Sequence, residues 1–365
     1  MYKQRNLYYN SSKDCSEYRE NVLIKKAMIM AAGVGSRLEP LTQDIPKPLV
    51  PVLNKPVMDI LLEKLKDFGV ESVIANTHYL AEQIQHRYTH NSPVNINFHY
   101  LHEETLSGTA GGVKKCEYFF KDVDDFLVVS ADGLHDADLN RIVKSHYDSG
   151  CIATMAIVEI DKDEVSKYGV VVPSEIYQVS EFQEKPPIEK AKSNYINTGI
   201  YVFNKRIFDY IPAGQKYDFA KDVFPTLLAA GEKINVYRIY AYWSDIGSIE
   251  QYIRSNQDAL AKKVVTPASN ITRSIDSVYT IGKNCTIDNS VKFKNNVVIG
   301  NNCKIGKNVT LDNAILWDNV TVSDNTEIKN SICASNSIIK SSLRGNSTDE
   351  CKVVAPGKTI DLASI

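Results

Sequence analysis

The sequence predicts an α/β domain with a mixed, mostly parallel sheet, followed by a C-terminal parallel β-helix. Two observations support this fold class. Between about Ala27 and Lys263, strands of the buried type alternate with helical segments, which is typical of a sheet covered by helices on both faces. After about Thr266 the helical pattern ends and apolar residues recur every six positions, which is the signature of a hexapeptide β-helix.

The length of the chain agrees with two folded domains. Its 365 residues exceed one domain at the usual prior of about 150 residues each. We therefore predict a polar N-terminal tail (1–26), an α/β domain (27–263) and a β-helix domain (264–365). The tail is charged, rich in tyrosine and without the apolar core of a signal peptide, so we expect it to be peripheral.

Charge and cysteine content exclude several classes of protein. The 42 lysines and arginines nearly balance the 44 aspartates and glutamates, whereas nucleic-acid binders usually show a basic excess. No stretch approaches the eighteen apolar residues of a membrane-spanning helix. The seven cysteines are scattered without a CxxC motif, which argues against disulfides and zinc sites. We expect a cytoplasmic protein that binds neither nucleic acid nor membrane.

The α/β region begins with a short apolar strand, AMIMAAG, that ends in glycine. The segment Pro56–Phe68 has apolar residues at helical spacing, with proline at its start and Gly69 just past its end, so it predicts a helix. Further strands are predicted in VESVIANT, VNINFHYL, FLVVS, IATMAIVEI, YGVVV and TGIYVFN. Ligands bind at the carboxyl ends of parallel strands, so the loops there are the candidate site.

The C-terminal region repeats with a period of six. One apolar set is Ile281, Ile287, Phe293, Ile299, Ile305 and Leu311, and a second set at a fixed offset is Val291, Val297, Cys303, Val309 and Ile315. Short strands of this kind cannot bury their apolar faces alone, so successive coils stack. Beyond Leu311 the period slips near Trp317 and Val322, and we expect the last coils to be less regular.

The segment that carries most chemical information is AAGVGSRL (31–38), followed by PKPL (46–49). Glycines at the end of a strand allow close backbone approach, and their N–H groups can surround phosphate oxygens. Arg37 and Lys47 could together bind a triphosphate. The glycine spacing fits neither GxGxxG nor the P-loop, so a dinucleotide-binding loop and a P-loop are both disfavoured.

These motifs resemble the signature of the sugar-1-phosphate nucleotidylyltransferases, also called sugar-nucleotide pyrophosphorylases. The resemblance covers nearly all of 27–263, in the family's order, and includes the blocks AAGVGSRLEPLT, PKPLVPV, EETLSGTAGGVKK, FLVVSADGLHDADL, YGVVV, EFQEKP, NTGIYVFN and YWSDIGSIEQY. The residues of these blocks are most similar to those of the mannose-1-phosphate guanylyltransferase branch. The resemblance implies a Rossmann-like nucleotidyltransferase domain followed by a left-handed parallel β-helix.

The resemblance also implies a reaction and a set of residues. The family joins a nucleoside triphosphate to a sugar 1-phosphate and releases pyrophosphate, so positioning and charge stabilisation supply most of the catalysis. The implied catalytic residues are Arg37, Lys47 and Asp132, and the implied Mg²⁺ ligands are Asp132 and Asp245. The implied nucleotide-binding residues are Ala31, Gly33, Gly35, Ser36, Glu103, Gly108 and Thr109. The implied sugar-phosphate-binding residues are Gly169, Glu184, Lys185 and Asn197.

Base choice depends on the segment Glu103–Ala110. Thymidylyl and uridylyl relatives often have glutamine five residues before the glycine that is Gly108 here, and an amide matches an imide base. A carboxylate such as Glu103 can only accept hydrogen bonds, which favours guanine and therefore GTP. The alternative that the Glu103 side chain faces solvent stays open. Mannose 1-phosphate is the leading sugar by resemblance alone, with a manno-heptose or glucose 1-phosphate as alternatives. Ala131 replaces a common family glycine, which puts the fine geometry near the nucleotide in doubt.

Three other functions compete with this one. Hexapeptide acyltransferases use a histidine of the β-helix as general base, but no histidine follows His146, so the β-helix is better explained as an oligomerisation or regulatory element. A catalytically silent subunit that binds sugar nucleotides would be expected to lose the charged residues that this chain retains. A nicotinamide-dependent dehydrogenase would need a third fingerprint glycine. We expect a homo-oligomeric enzyme.

Overall fold

A computed structural model describes residues 24–266, 270–347 and 350–361. Residues 1–23 of the predicted tail lie outside the described residues. Ile24 is buried in the core beneath the sheet, and the first strand begins at Lys26. The last residues of the segment predicted as a tail therefore belong to the α/β domain.

The secondary structure follows the predicted order. Among the described residues the α-helices are α1 (Val57–Phe68), α2 (Ala81–His90), α3 (Gly108–Lys115), α4 (Leu139–Ser149), α5 (Phe224–Ala229) and α6 (Ile249–Leu260). None of these helices has the length and apolar character that a membrane crossing requires. The strands up to residue 245 are β1 (Lys26–Met30), β2 (Pro51–Val52), β3 (Lys55–Pro56), β4 (Ser72–Thr77), β5 (Asn97–His102), β6 (Asp125–Ser130), β7 (Gly133–His135), β8 (Ala153–Glu159), β9 (Gly169–Pro173), β10 (Val179–Glu184), β11 (Tyr195–Asn204), β12 (Ile234–Arg238) and β13 (Trp243–Asp245).

The main sheet has a parallel half and an antiparallel half. In the order β10-β9-β11-β6-β1-β4-β5, the strands β6, β1, β4 and β5 pair in parallel, while β11 runs antiparallel to β6, β8 and β9. The carboxyl ends of β1, β4, β5 and β6 therefore meet at one edge of the sheet. The α/β class and the mixed sheet are confirmed. The glycine motif leaves β1 at this edge, and Asp132 follows β6 there.

The helix predicted at Pro56–Phe68 forms for the reasons visible in the sequence. Its apolar positions face the core, and Gly69 ends it at a φ of 111°, where its N–H donates to the carbonyls of Leu65 and Lys66. Glycine adopts this left-handed conformation without the steric penalty of a Cβ atom. The helix therefore begins and ends where the sequence indicates.

The second domain is a parallel β-helix. Its strands are β14 (Ile271–Arg273), β15 (Ser277–Ile281), β16 (Thr286–Ile287), β17 (Lys292–Ile299), β18 (Lys304–Ile305), β19 (Thr310–Leu316), β20 (Thr321–Val322), β21 (Glu327–Cys333), β22 (Ile338–Ile339), β23 (Leu343–Arg344), β24 (Lys352–Val354) and β25 (Thr359–Ile360). Apart from the antiparallel β14, each strand pairs in parallel with a strand of the next coil. The predicted apolar sets point inward and form one core, with the exception of Ile315, which packs in the core shared with the α/β domain while Ala314 and Leu316 point inward.

Asparagine is abundant in this domain because the corners between faces need left-handed backbone. Asparagine is the residue other than glycine that adopts this conformation most readily. Positive φ angles between 44° and 67° occur here at Asn284, Asn295, Asn302, Asn308, Asn313, Asn319, Asn325, Asn330 and Asn336, and at Gly357. Several of these side chains also donate to the asparagine one coil on, as Asn302 Nδ2 does to Asn319 Oδ1 at 3.2 Å.

The slip of the period after Leu311 has a simple structural cause. Lys294 pairs with Asp312 and Val297 pairs with Ala314, so two corner residues in one coil face a single corner residue in the next. The deletion of one corner residue shortens the coil while the inward-facing apolar residues stay in register. The loosened period therefore marks shorter coils of the same β-helix.

Candidate active site

The glycine motif forms an exposed loop at the carboxyl end of β1. Ala31 is buried, and its N–H donates to Asn76 Oδ1 at 3.0 Å. Gly35 has a φ of 76°, and a Cβ atom there would lie 3.0 Å from the Cβ of Lys47. A short 3₁₀ turn at Ser36–Leu38 follows and leaves Arg37 exposed. The left-handed turn at Gly35 thus lets the glycine loop pack against the segment that carries Lys47, as both predicted roles require.

Two aspartates far apart in the sequence are brought together by a two-stranded ribbon. The strand β7, which follows Asp132, pairs antiparallel with β13, and Gly133 lies opposite Asp245. The N–H of Ile246 donates to the carbonyl of Asp132 at 3.0 Å. Lys47 Nζ forms an ion pair with the Asp132 carboxylate. The ribbon therefore places both predicted metal ligands beside the predicted phosphate-binding lysine.

The charges in this cluster influence each other. Burial raises the pKa of Asp245, and the negative charge of Asp132 raises it further, although Lys47, Tyr168 and Arg37 act in the opposite direction. Burial would also raise the pKa of Asp132, but the Lys47 ammonium and the Arg37 charge hold it below its usual value. The structure thus brings together the four charged residues predicted from the sequence, as two cations and two carboxylates.

Arg37 reaches the same cluster across Gly247. A Cβ atom at Gly247 would lie 2.6 Å from Asp245 Oδ2 and 3.5 Å from Arg37 Nη2. The carboxylate and the guanidinium therefore both approach the Cβ position of this glycine. A larger residue at position 247 would clash with the Asp245 carboxylate, which gives this position a role that the sequence pattern did not indicate.

Tyr168 links the aspartate ribbon to the predicted sugar-phosphate residues. Its hydroxyl donates to Asp245 Oδ1 at 2.9 Å, and its carbonyl accepts from the Lys185 N–H at 3.1 Å. Burial and the neighbouring Asp245 carboxylate raise the pKa of the Tyr168 hydroxyl, so it remains a donor at neutral pH. Sequence reasoning missed Tyr168 because one tyrosine beside a predicted strand carries no signal by itself.

Gly169, Glu184 and Lys185 lie at the paired ends of β9 and β10. Gly169 is opposite Glu184, and a Cβ atom at Gly169 would lie 2.5 Å from the Phe182 ring and 3.3 Å from Glu184 Oε2. Lys185 has a φ of 45°, and its exposed Nζ is 3.7 Å from Glu184 Oε1. Glycine at position 169 thus leaves room for the Glu184 carboxylate, and the Lys185 ammonium group is exposed to solvent.

A bulge in β11 orients Asn197. The register of β11 shifts between Asn197 and Tyr201, and Gly199 has a φ of 75° within this bulge. Asn197 Oδ1 accepts from the Gly199 N–H at 3.1 Å, and its Nδ2 donates to the Tyr201 hydroxyl at 2.5 Å. Burial raises the pKa of Tyr201, and the charges of Asp218 and Glu184 raise it further. Asn197 is therefore held by Gly199 and Tyr201, and Tyr201 is a second residue that sequence reasoning missed.

The structure buries Glu103 among side-chain contacts. This residue is only 1% exposed, so it does not face solvent. Its Oε1 accepts a hydrogen bond from Asn76 Nδ2 at 2.8 Å, and its Oε2 accepts from the N–H and the hydroxyl of Ser107 and from Lys115 Nζ at 3.0 Å. Glu103 therefore holds Asn76, and through it Ala31, in place, and its contact with guanine stays a prediction.

Gly108 and Thr109 lie at the start of α3 and contact the segment 217–219. A Cβ atom at Gly108 would clash with the carbonyl of Tyr217, which accepts from the N–H groups of Ala110 and Gly111 at 3.1 and 3.0 Å. The Thr109 hydroxyl donates to Asp218 Oδ2 at 2.8 Å and accepts from the Phe219 N–H at 2.9 Å. Both residues therefore hold α3 against this segment, and their contact with the nucleotide stays a prediction.

Comparison with sequence families gives two matches that together cover most of the chain. Residues 26–262 match the model described as nucleotidyl transferase, and residues 261–354 match the model described as the EIF2B subunit epsilon LbH domain, a left-handed β-helix. The first match covers well over half of the chain. The predicted left-handed β-helix is thereby confirmed.

Curated relatives point to the same family but carry different substrate names. The chain is 39% identical over 249 residues to a UTP–glucose-1-phosphate uridylyltransferase of Synechocystis sp., covering 66% of this chain and 64% of the relative. It is 31% identical over 243 residues to a mannose-1-phosphate guanylyltransferase of Mycobacterium tuberculosis, covering 66% of each. The alignments thus span about two thirds of the length of these relatives.

Solved structures resemble the chain over a similar share. HddC from Yersinia pseudotuberculosis, complexed with GMP-PN, is 27% identical with a TM-score of 0.56, and covers 65% of this chain and 100% of its own. A UDP-glucose pyrophosphorylase complexed with UDP-glucose is 25% identical with a TM-score of 0.58, and covers 66% of this chain and 100% of its own. The chain described here belongs to the nucleotidyl transferase family, and a left-handed β-helix domain follows its α/β domain in the sequence.

Proposed function

We propose that this protein transfers a nucleotidyl group from a nucleoside triphosphate to a sugar 1-phosphate and releases pyrophosphate. The observation that carries the proposal is the convergence of Arg37, Lys47, Asp132 and Asp245 at the carboxyl ends of β1 and β6. A sugar phosphate oxygen forms a bond to the α-phosphorus while the bond from that phosphorus to the bridging oxygen of the leaving pyrophosphate breaks. Because no group on the protein is covalently modified, alignment and charge stabilisation carry the catalysis.

Each part of the site has a task in this reaction. The glycine loop binds the triphosphate with its backbone, and Arg37 stabilises the charge that develops on pyrophosphate. Lys47 binds the reacting phosphates from the side of Asp132. Lys185 binds the incoming sugar phosphate, and Glu184 with Asn197 accepts and donates hydrogen bonds to sugar hydroxyls. Tyr168 keeps the two halves of the site in register through Asp245 and Lys185.

We propose that Asp132 and Asp245 hold Mg²⁺. The donor set fits, since Mg²⁺ is usually bound by one or two carboxylates plus substrate phosphates and waters. Among the described residues no group of three or more histidines, cysteines or carboxylates could form an all-protein metal site. Burial and the Asp132 charge raise the pKa of Asp245, and a bound cation would offset both effects. When bound, Mg²⁺ neutralises phosphate charge as it develops.

For the substrates we propose UTP with glucose 1-phosphate as the first candidate pair. Its support is the 39% identity to a uridylyltransferase, together with the burial of Glu103 among bonds to Asn76, Ser107 and Lys115. GTP with mannose 1-phosphate, the pair favoured by the sequence, is the second candidate. Its support is the 31% identity to a guanylyltransferase and the likeness to a structure that contains GMP-PN.

The test is a matrix of nucleoside triphosphates against sugar 1-phosphates, measured by pyrophosphate release with added Mg²⁺. UTP, GTP, dTTP, ATP and CTP are each paired with glucose, mannose and manno-heptose 1-phosphate. We expect the highest kcat/KM for UTP with glucose 1-phosphate. A maximum at GTP with mannose 1-phosphate selects the second candidate pair. Absence of pyrophosphate release from every pair would contradict the reaction class.

A further inference from the structure

The β-helix packs directly against the segments that carry the catalytic charges. Residues adjacent to those charges share one buried apolar core with one face of the β-helix. From the α/β domain this core includes Leu38, Val50, Val52 and Ile246, and from the β-helix it includes Val298, Ile315, Trp317 and Ile332. The β-helix thus forms part of the support beneath the loops of Arg37, Lys47 and Asp245.

A hydrogen-bonded relay runs from the β-helix to the segment after Lys47. Trp317 Nε1 donates to the Tyr252 hydroxyl at 2.8 Å, and that hydroxyl donates to the carbonyl of Pro51 at 2.9 Å. Trp317 directly follows β19, Tyr252 lies on α6, and Pro51 begins β2 just after the PKPL motif. Both aromatic side chains are buried, and their rings meet edge to face with centroids 6.3 Å apart.

The Pro51 carbonyl points out of its hairpin, and the relay supplies its donor. Pro51 lies opposite Pro56 in the β2–β3 hairpin, and the next pair is hydrogen-bonded, since the Val57 N–H donates to the Val50 carbonyl at 3.2 Å. Because hydrogen-bonded and non-hydrogen-bonded pairs alternate between antiparallel strands, strand pairing gives the Pro51 carbonyl no donor, and the Tyr252 hydroxyl provides one. Two further contacts support the hairpin: Leu53 N–H donates to Asn256 Oδ1 at 3.1 Å, and Asn54 Nδ2 donates to the Ile299 carbonyl at 2.6 Å.

The α/β fold by itself does not require such a support. The match to HddC includes all of the HddC chain but only 65% of this chain. A related protein therefore forms the α/β fold without any counterpart to the remaining third of this chain. In this protein, by contrast, the hairpin after Lys47 is held by α6 and by two coils of the β-helix. Part of its support therefore comes from the β-helix, through Trp317 and the Ile299 carbonyl, while α6 belongs to the matched residues 26–262.

We propose that Tyr252 and Trp317 are positioning residues for Lys47, and that the β-helix sets the reactivity of the site through them. The inference rests on the proposed function, because Lys47 acts there on the reacting phosphates. Small displacements of a group that binds the transition state lower kcat more than they change ground-state binding. The relay thus predicts a change in kcat with little change in KM.

The test compares Tyr252→Phe and Trp317→Phe with a matched control, Tyr88→Phe. Tyr88 is another buried tyrosine of the α/β domain, and its hydroxyl donates to Asp59 Oδ1 at 2.8 Å, but it lies on α2 without contact to the hairpin. The two tyrosine variants keep the ring and lose only the hydroxyl, whereas Trp317→Phe replaces the indole, with its N–H, by a smaller phenyl ring. We expect kcat to fall about tenfold in Tyr252→Phe and about threefold in Trp317→Phe, which keeps the bond to Pro51, with each KM changed less than about twofold. Tyr88→Phe should keep kcat.

Amide hydrogen exchange at residues 49–57 gives a readout that does not need turnover. We expect faster exchange there in Tyr252→Phe and Trp317→Phe, and unchanged exchange in Tyr88→Phe. If the wild type turns over and both relay variants keep its kcat, the relay proposal is wrong and the proposed function stands. If no substrate pair reacts, the proposed function fails, and unchanged exchange in the relay variants would then also overturn the support of the hairpin.

Discussion

The two domains of this protein differ in the sequence distance over which their essential contacts form. In the β-helix the asparagine ladders join residues 17 or 18 positions apart, as in Asn302 to Asn319 and Asn284 to Asn302. In the α/β domain the contacts of the site join Lys47 to Asp132 across 85 positions and Tyr168 to Asp245 across 77. The β-helix is therefore built from many equivalent contacts that recur in each coil. The site of the α/β domain depends on a few contacts, each of which occurs once.

The difference predicts how each domain responds to a single change. A substitution at the site should remove activity and leave the fold, because the charged residues lie at loop ends outside the apolar cores. A substitution in the β-helix outside the face that packs on the α/β domain should reduce stability by a modest amount and leave the chemistry, because neighbouring coils retain the same contacts. The four predictions that follow test the difference, beginning with the largest effect.

The largest effect is expected for Asp132→Asn. The change removes one of the two proposed Mg²⁺ ligands and the charge partner of Lys47. We expect kcat/KM for pyrophosphate release to fall by about two to three orders of magnitude, since a metal and a placed cation contribute several kcal/mol to phosphoryl transfer. The midpoint of urea unfolding should change little, because Asp132 lies at the edge of the core.

The control for Asp132→Asn is Asp122→Asn. Asp122 also pairs with a lysine, Lys26, but it is exposed and far from the ribbon. Exposed ion pairs contribute little, so this variant should keep its turnover within about twofold. Normal Mg²⁺-dependent turnover in Asp132→Asn would contradict both the metal assignment and the view that the site has no redundant contacts.

The same difference explains what the sequence could and could not predict. The first strand, the helix after Pro56 and the six-residue repeat depend on neighbours in sequence, and the structure has them where the patterns indicated. Even the slip after Leu311 was visible, although its cause, one missing corner residue, needs the register of paired coils. Local patterns are therefore sufficient for this part of the fold.

Most of the site was accessible from the sequence only through resemblance to a family. Arg37 and Lys47 were indicated as a phosphate-binding pair by the glycine motif, whereas Asp132 and Asp245 were assigned by resemblance, and the structure brings all four together. The burial of Glu103 and its donors could not be predicted, because they depend on tertiary contacts that no spacing reveals. Tyr168 and Tyr201 were missed for the same reason.

The next effect concerns pH and a buried histidine of the α/β domain. Among the described residues His135 Nε2 is buried without a hydrogen-bond partner, and burial lowers the pKa of His135 to about 4, with the charge on Lys64 acting in the same direction. The unfolded chain takes up a proton near pH 6.5, whereas the folded chain does not until about pH 4. Stability from this residue is therefore present above pH 6.5 and decreases by up to about 3 kcal/mol as the pH falls to 4.

This prediction is checked by urea unfolding between pH 7 and 4 in the wild type and in His135→Asn. Asparagine can still accept from the Ala137 N–H, as His135 Nδ1 does at 3.2 Å. The variant should be less stable at pH 7 but lose less stability on acidification. Identical slopes would show that His135 titrates normally. Because no histidine follows His146, the histidine contribution is confined to the α/β domain.

A smaller loss is expected from Gly306→Ala in the β-helix. A Cβ atom at Gly306 would clash with Asp324 of the next coil, whose Oδ1 accepts from the Lys307 N–H at 2.7 Å. Overpacking of this kind reduces the free energy of unfolding by about 2 kcal/mol. Gly150→Ala is the control, since Gly150 has a φ of 59° but no atom near its Cβ position, so only backbone strain of about 1 kcal/mol applies. Turnover below the unfolding transition should persist in both variants, and its loss in Gly306→Ala alone would mean that stacking in this coil reaches the site.

The smallest effect separates the two roles of the corner asparagines. Asn319 has a φ of 62°, donates to Asn336 Oδ1 at 3.0 Å and accepts from Asn302. Asn319→Ala loses both ladder bonds, and its Cβ atom is strained in the left-handed backbone conformation. We therefore expect the free energy of unfolding to fall by about 1.5 kcal/mol. Asn319→Gly loses the same bonds without that penalty, so its loss should be smaller by about 1 kcal/mol. Equal losses in the two variants would mean that the ladder, and not the backbone conformation, is the reason for asparagine at the corners of this domain.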